Sequence, residues 1–136
     1  MDAITTTANH PHQMKTELRI GNYIMYDNRY FQIYSISDEF PTLNTIEFGI
    51  GVVDWNNISP IPITEELLVK NCKFTKINER LFVKGRLLVC IHQDMATFTD
   101  DITTIRFKGL HHLQNVFYYK HDTELTYDQD NHSAGG

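Results

Sequence analysis

Histidine is the side chain best suited to metal coordination or proton transfer near neutral pH, and the chain carries seven. His10, His12 and His132 fall in polar segments where a preformed site is not expected. His111 and His112 are consecutive in a stretch of helical pattern, so their rings diverge by about 100° and do not close on one ion. Neither has a histidine four residues away, the spacing that helix-borne zinc sites use. His92 and Asp94 alternate onto one side of a strand, a pairing that is common by chance. Cys72 and Cys90 match no zinc spacing and lie in apolar runs that disfavour a thiolate, so both read as reduced, buried hydrophobes. There is no Gly-x-Ser-x-Gly, and Gly49-Ile50-Gly51 lacks the third glycine and following helix of a dinucleotide loop. Glu65-Glu66 and Asp100-Asp101 read as helix-start charge and loop solvation rather than acid/base pairs. The expectation is a non-enzymatic chain with no metal and no cofactor, and a metal-dependent hydrolase is the least supported reading.

Residue types suited to binding are better supplied. Tyr23, Tyr26, Tyr30, Phe31 and Tyr34 crowd into twelve residues. On a small barrel such a surface stacks nucleic-acid bases, yet only Arg29 accompanies it, and cross-strand aromatic pairing explains it more simply. The formal net charge of −5 disfavours nucleic acid as a partner. Residues 70–86 nevertheless carry a net +5, which leaves −10 for the rest. Within them Lys73, Lys76, Arg80, Lys84 and Arg86 are the tentative patch for an anionic partner, against the plainer reading of a solvated face. After Lys120 come Asp122, Glu124, Asp128 and Asp130 with no Lys or Arg.

The elements that must hold these residues follow from periodicity. A chain of 136 residues with 41% hydrophobic and 21% charged residues supports one packed domain over 16–127, between a flexible lead-in at 1–15 and a flexible tail at 128–136. Leu18–Tyr26 and Tyr30–Ile36 flank Asp27-Asn28 and predict a hairpin. Thr45–Val53 alternates as a strand, and Pro60 and Pro62 confine Ile58–Ile63 to an edge or extended crossing. Thr64, Glu65 and Glu66 predict the start of a short helix ending at Lys70 or Asn71. Cys72–Ile77, Arg80–Lys84 and Arg86–His92 predict a meander, Asp94–Asp101 a polar loop, Ile102–Phe107 a strand, Gly109–Lys120 a helix and Glu124–Tyr127 a last short strand. The fold class expected is α+β: an antiparallel, small-barrel-like N-terminal half, a β-meander and a C-terminal packing helix. No run is long and apolar enough to span a membrane, and the first residues lack a basic region followed by an apolar one, so a cytoplasmic location is expected.

Three motifs then suggest a relationship. Leu18-Arg19-Ile20-Gly21-Asn22, Pro60-Ile61-Pro62-Ile63-Thr64-Glu65-Glu66-Leu67, and His112-Leu113-Gln114-Asn115 with Glu124-Leu125 stand in one order across residues 17–127. In these the chain resembles a family of small uncharacterised proteins from Bacteroidetes genomes and their phages and prophages. The resemblance implies a phage or mobile-element context in a bacterial host cell and supplies no catalytic residue. One departure concerns the end of the last helix, where relatives close on Thr-Gly and this chain reads His121-Asp122-Thr123.

The last helix also offers the most definite surface. At 100° per residue, Leu110, Leu113, Val116 and Phe117 share an arc of about 120° and are expected to be buried. His111, His112, Asn115, Tyr118 and Tyr119 fall opposite, with Gln114 at the border. Tyrosine is favoured in interfaces because its ring buries a large area while its hydroxyl finds a partner. His111, Asn115, Tyr118 and Tyr119 are therefore the tentative contacts of an unidentified protein partner, and the function expected is that of an accessory protein binding another macromolecule.

Overall fold

The computed structural model describes residues 17–36, 41–45, 49–53, 57–93, 95–99 and 104–128. The lead-in at 1–15, nearly all of the tail and the Ile46 to Phe48 alternation lie outside them. The fold is α+β, the described residues forming two five-stranded antiparallel sheets and one long helix, and no described helix is long and apolar enough to cross a membrane. The chain divides into two compact units, one reaching Ile61 and including Gly109–His112, the other comprising Pro62–Lys108 and the chain from Leu113 onward.

The first unit opens on the Leu18–Asn22 motif, which is a turn. Gly21 takes φ +100°, a region side chains avoid. Buried Asn22 accepts the Arg19 N–H on its Oδ1 at 2.7 Å, and its own N–H donates to the Arg19 carbonyl at 3.0 Å. Strand β1 (Tyr23–Tyr26) follows, then Asp27 and Asn28 at φ +55° and +62°, the two left-handed residues of a type I′ turn, then β2 (Arg29–Ile36). Where one strand is expected over Thr45–Val53, two are found, β3 (Pro41–Thr45) and β4 (Gly49–Val52). A two-residue β5 (Ile58–Ser59) completes the order β4-β3-β2-β1-β5, and Pro60 ends it at an edge. Ile24, Phe31 and Ile33 form the core with Leu18, and Tyr26, Ile36, Val53 and Ile58 pack against it. Register slips between Ile33 and Ser35, a bulge that returns Ile36 to the core side.

In the second unit Thr64 Oγ1 accepts the Leu67 N–H at 3.1 Å. The short helix it caps widens into a π-helical turn at Leu67–Asn71, closed by Cys72 N–H on the Leu67 carbonyl at 2.9 Å. The meander is longer than expected. Strands β6 (Thr75–Lys76), β7 (Leu81–Lys84), β8 (Leu87–His92), β9 (Met95–Thr99) and β10 (Thr104–Arg106) pair strictly in chain order. The predicted loop at Asp94–Asp101 is thus mostly β9, whose Ala96 and Phe98 alternate inward and are buried. Helix α1 (Leu110–His121) ends at Asp122, which adopts φ +56° and donates its N–H to the Tyr118 carbonyl at 2.7 Å. An aspartate does here what a glycine usually does. Residues 124–128 form no strand, though Leu125 is buried, and Asp128 is fixed by its N–H to the Asn71 carbonyl and by Asn71 Nδ2 to its own carbonyl.

Helix α1 begins in the first unit, where Leu110 N–H donates to the Ile61 carbonyl at 2.9 Å. A Cβ on Gly109 would stand 2.7 Å from Pro60 Cβ and 3.1 Å from that carbonyl. We expect Gly109→Ala to cost roughly 1–3 kcal/mol through overpacking, measured by chemical denaturation. A stability unchanged within error would show that the helix start is not held this closely.

Candidate interaction surfaces

In the second unit Phe82, Leu87, Val89, Ala96 and Phe98 of the inner sheet face and Leu113 and Phe117 of α1 are all buried core residues. The charged residues around Phe117 are part of that packing. Lys84 Nζ lies 5.7 Å from the Phe117 ring centroid and donates to the Cys72 carbonyl at 2.7 Å. Partial burial pulls its pKa below the usual lysine value. Lys120 Nζ sits 6.0 Å from the Phe98 ring centroid.

His121, to which sequence reasoning assigned nothing, clamps the β7–β8 turn. Its ring stacks on Phe117 with centroids 4.0 Å apart, and its Nε2 accepts the Arg86 N–H at 2.8 Å. The remaining proton therefore belongs on Nδ1, which donates to the Phe117 carbonyl at 3.1 Å. Gly85 at φ +61° makes the approach possible, since a Cβ there would lie 2.5 Å from Nε2. Arg86 completes the clasp by donating from a guanidinium nitrogen to the Lys120 carbonyl at 2.8 Å. Gly85 was the available signal, but its partner is remote in sequence.

The predicted partner-contact residues divide. Tyr118 and Tyr119 are exposed, at 41% and 88%, and Asn115 is half-buried. His111 is a correction: it is 0% exposed, with Nε2 3.3 Å from Glu17 Oε1. A helical wheel gives the direction of a side chain, whereas the first turn of α1 is enclosed on more than one side by Gly109, Pro60, Ile61 and Glu17. The His111–Glu17 pair resembles half of a general-base constellation, yet no atom of the ring reaches solvent, so it acts as a fixing contact. Gln114, expected at the border, is buried.

The predicted basic patch divides as well. Lys73 lies 3.7 Å from an Asp128 carboxylate oxygen and Lys76 2.8 Å from one of Glu65, while Lys70 pairs with Glu66 at 3.5 Å. Arg80 is exposed, and Arg86 is committed to Lys120. Lys84 is the correction, being half-buried against Phe117 rather than solvent-facing. Glu65 and Glu66 serve Lys76 and Lys70 rather than forming an acid/base pair, and Asp100-Asp101 lies outside the described residues.

Among the described residues no group of three potential metal ligands converges, and the Asp94 partner proposed for His92 lies outside them. Cys72 is free and buried, and desolvation pushes its thiol up to about 12, outweighing the opposing charge of Lys84. Cys90 is free but only half-buried, which corrects its reading as a core residue. No protein-family model, curated protein or solved structure matches this chain.

Two measurements follow. A thiol reagent at pH 8 should label Cys90 well before Cys72, which reacts only as fast as the second unit opens; equal native rates would contradict the buried thiol. Lys84→Glu should cost about 1–3 kcal/mol, because it removes the bond to the Cys72 carbonyl and buries an acid. Arg80→Glu should stay within about 0.5 kcal/mol, and equal effects in urea melts would return Lys84 to the surface.

Proposed function

We propose that this is a non-enzymatic accessory protein of a phage or mobile element, acting in the cytoplasm of a bacterial host by binding another protein. The observation that carries this reading is the pair Tyr118 and Tyr119, exposed side by side on α1 next to the core residue Phe117. Two rigid aromatic side chains bury much area at little entropic cost and keep hydroxyls for hydrogen bonds. The clasp of Arg86 on the Lys120 carbonyl stiffens the helix end that presents them. A protein partner is also favoured by the net charge of −5, since a nucleic-acid binder needs cations to release counterions from phosphate.

A second reading has its own observation. Tyr23 faces Gln32 and Met25 faces Tyr30 across the β1–β2 pair, so Tyr23 and Tyr30 share the outer face of the first sheet, and Tyr34, at the bulge in β2, is exposed. A small barrel presenting three tyrosines is a stacking platform for single-stranded nucleic acid. The bulge in β2 supports curling toward such a barrel, although among the described residues no pairing joins β4 to β5. Arg29 and Arg19 are the nearest cations in sequence, which keeps this reading second.

The test is quantitative affinity purification from host cells with the wild type and a Tyr118→Ala/Tyr119→Ala variant. The variant should keep its stability within about 1 kcal/mol, unlike Phe117→Ala at about 3–5 kcal/mol, and should lose at least one nuclease-resistant protein partner. Identical partners for both proteins would sink the helix surface. Retention on single-stranded oligonucleotides that vanishes steeply with salt would favour the second reading.

A further inference from the structure

Register assigns every side chain of the second sheet to one of two faces, since residues paired across antiparallel strands point the same way. The inner face is core. Leu81 pairs with Cys90 and Val83 with Leu88, which sets all four on the outer face, and Met95 joins them through its pairing with His92. An antiparallel sheet with one solvated face ordinarily alternates to polar residues there. This one does not: Leu88 is 44% exposed and Met95 38%, with Leu81, Val83 and Cys90 half-buried between them.

The surroundings of this apolar stripe limit what fits it. Cys90 pairs with Thr97 and Thr97 with Arg106, so exposed Arg106 borders the stripe on the edge strand β10. No described residue on this face is Asp or Glu, and its remaining polar positions are His92 and threonines. A second copy would set apolar stripe against apolar stripe but, among the described residues, offer Arg106 no carboxylate from the same face. Single-stranded nucleic acid would meet the arginine but find no aromatic ring to stack on. A segment with both apolar and acidic side chains satisfies stripe and arginine together.

We propose that the outer face of β7–β9 is a docking surface for an acidic amphipathic segment of a partner protein, its apolar side chains covering Leu88 and Met95 and a carboxylate meeting Arg106. This surface is independent of Tyr118 and Tyr119.

The experiment uses the full chain with methyl-labelled Leu, Val and Met, titrated with a helical peptide of leucine and glutamate, with its leucine–lysine counterpart, and with an oligo-dT strand. Saturable shifts of the Leu88, Val83 and Met95 methyls with the glutamate peptide alone are expected. Arg106→Glu should weaken that binding about tenfold and transfer it to the lysine peptide. Leu88→Asp should abolish it, with the methyl spectrum of Leu113 and Leu125 verifying the fold, while Tyr118→Ala/Tyr119→Ala should leave it intact. Absence of shifts at these methyls, equal binding of both peptides, or binding of oligo-dT at this face would overturn the proposal. So would concentration-dependent dimerisation abolished by Leu88→Asp, which would give the face to a second copy.

Discussion

A helix cannot satisfy its own first backbone N–H groups, and in this protein one of them is met by another segment's backbone. Leu110 donates to Ile61 where Gly109 has no side chain, and a Cβ there would press on Pro60 and on that carbonyl. The consequence spreads through the first unit. Ile61, wholly buried, offers its carbonyl to the helix, and the chain just before it pairs only as a two-residue edge strand. The first turn of α1 is then enclosed, and His111 loses its access to water. The prolines beside Ile61 suit this role, because they remove competing donors and fix an extended path.

The three motifs that suggest a family relationship all have structural duties. Asn22 and Gly21 form the turn into β1, Ile61 and Thr64 hold two helix starts, and Leu113 and Gln114 are buried. Selection for such a scaffold leaves recognisable residues without marking a site of chemistry. That is why the sequence reads more clearly as a fold than as a function.

What was legible obeys short-range rules. The Asp27-Asn28 turn, the Thr64 cap, the proline-limited edge and the burial of Leu110, Leu113 and Phe117 on α1 each depend on residues within a few positions, whereas Val116 of the same expected arc is only half-buried. What was not legible depends on partners far along the chain. His111 meets Glu17, His121 meets the Gly85 turn, and Asn71 holds Asp128. Strand β9 was hidden for a different reason, since its acidic flanks outweighed a two-residue alternation of only five positions. The charge asymmetry is plain in the sequence, but its meaning depends on geometry: Glu65, Glu66 and Asp128 pair with Lys76, Lys70 and Lys73 and offset half of the six cations in the basic stretch.

The order in which the chain visits its two units has a consequence for synthesis. Strands β6 to β10 pair only with their immediate neighbours, so each pairing closes a short loop and forms as the chain lengthens. The first unit is different: its last piece, Gly109–His112, leaves the ribosome only after all five of those strands. Until then Ile61 has a carbonyl without its helix and the core around Ile24 and Phe31 lacks a part of its unit. The N-terminal half is therefore made first but completed only after β6–β10, and during that interval of translation it is exposed to mispairing and to chaperones.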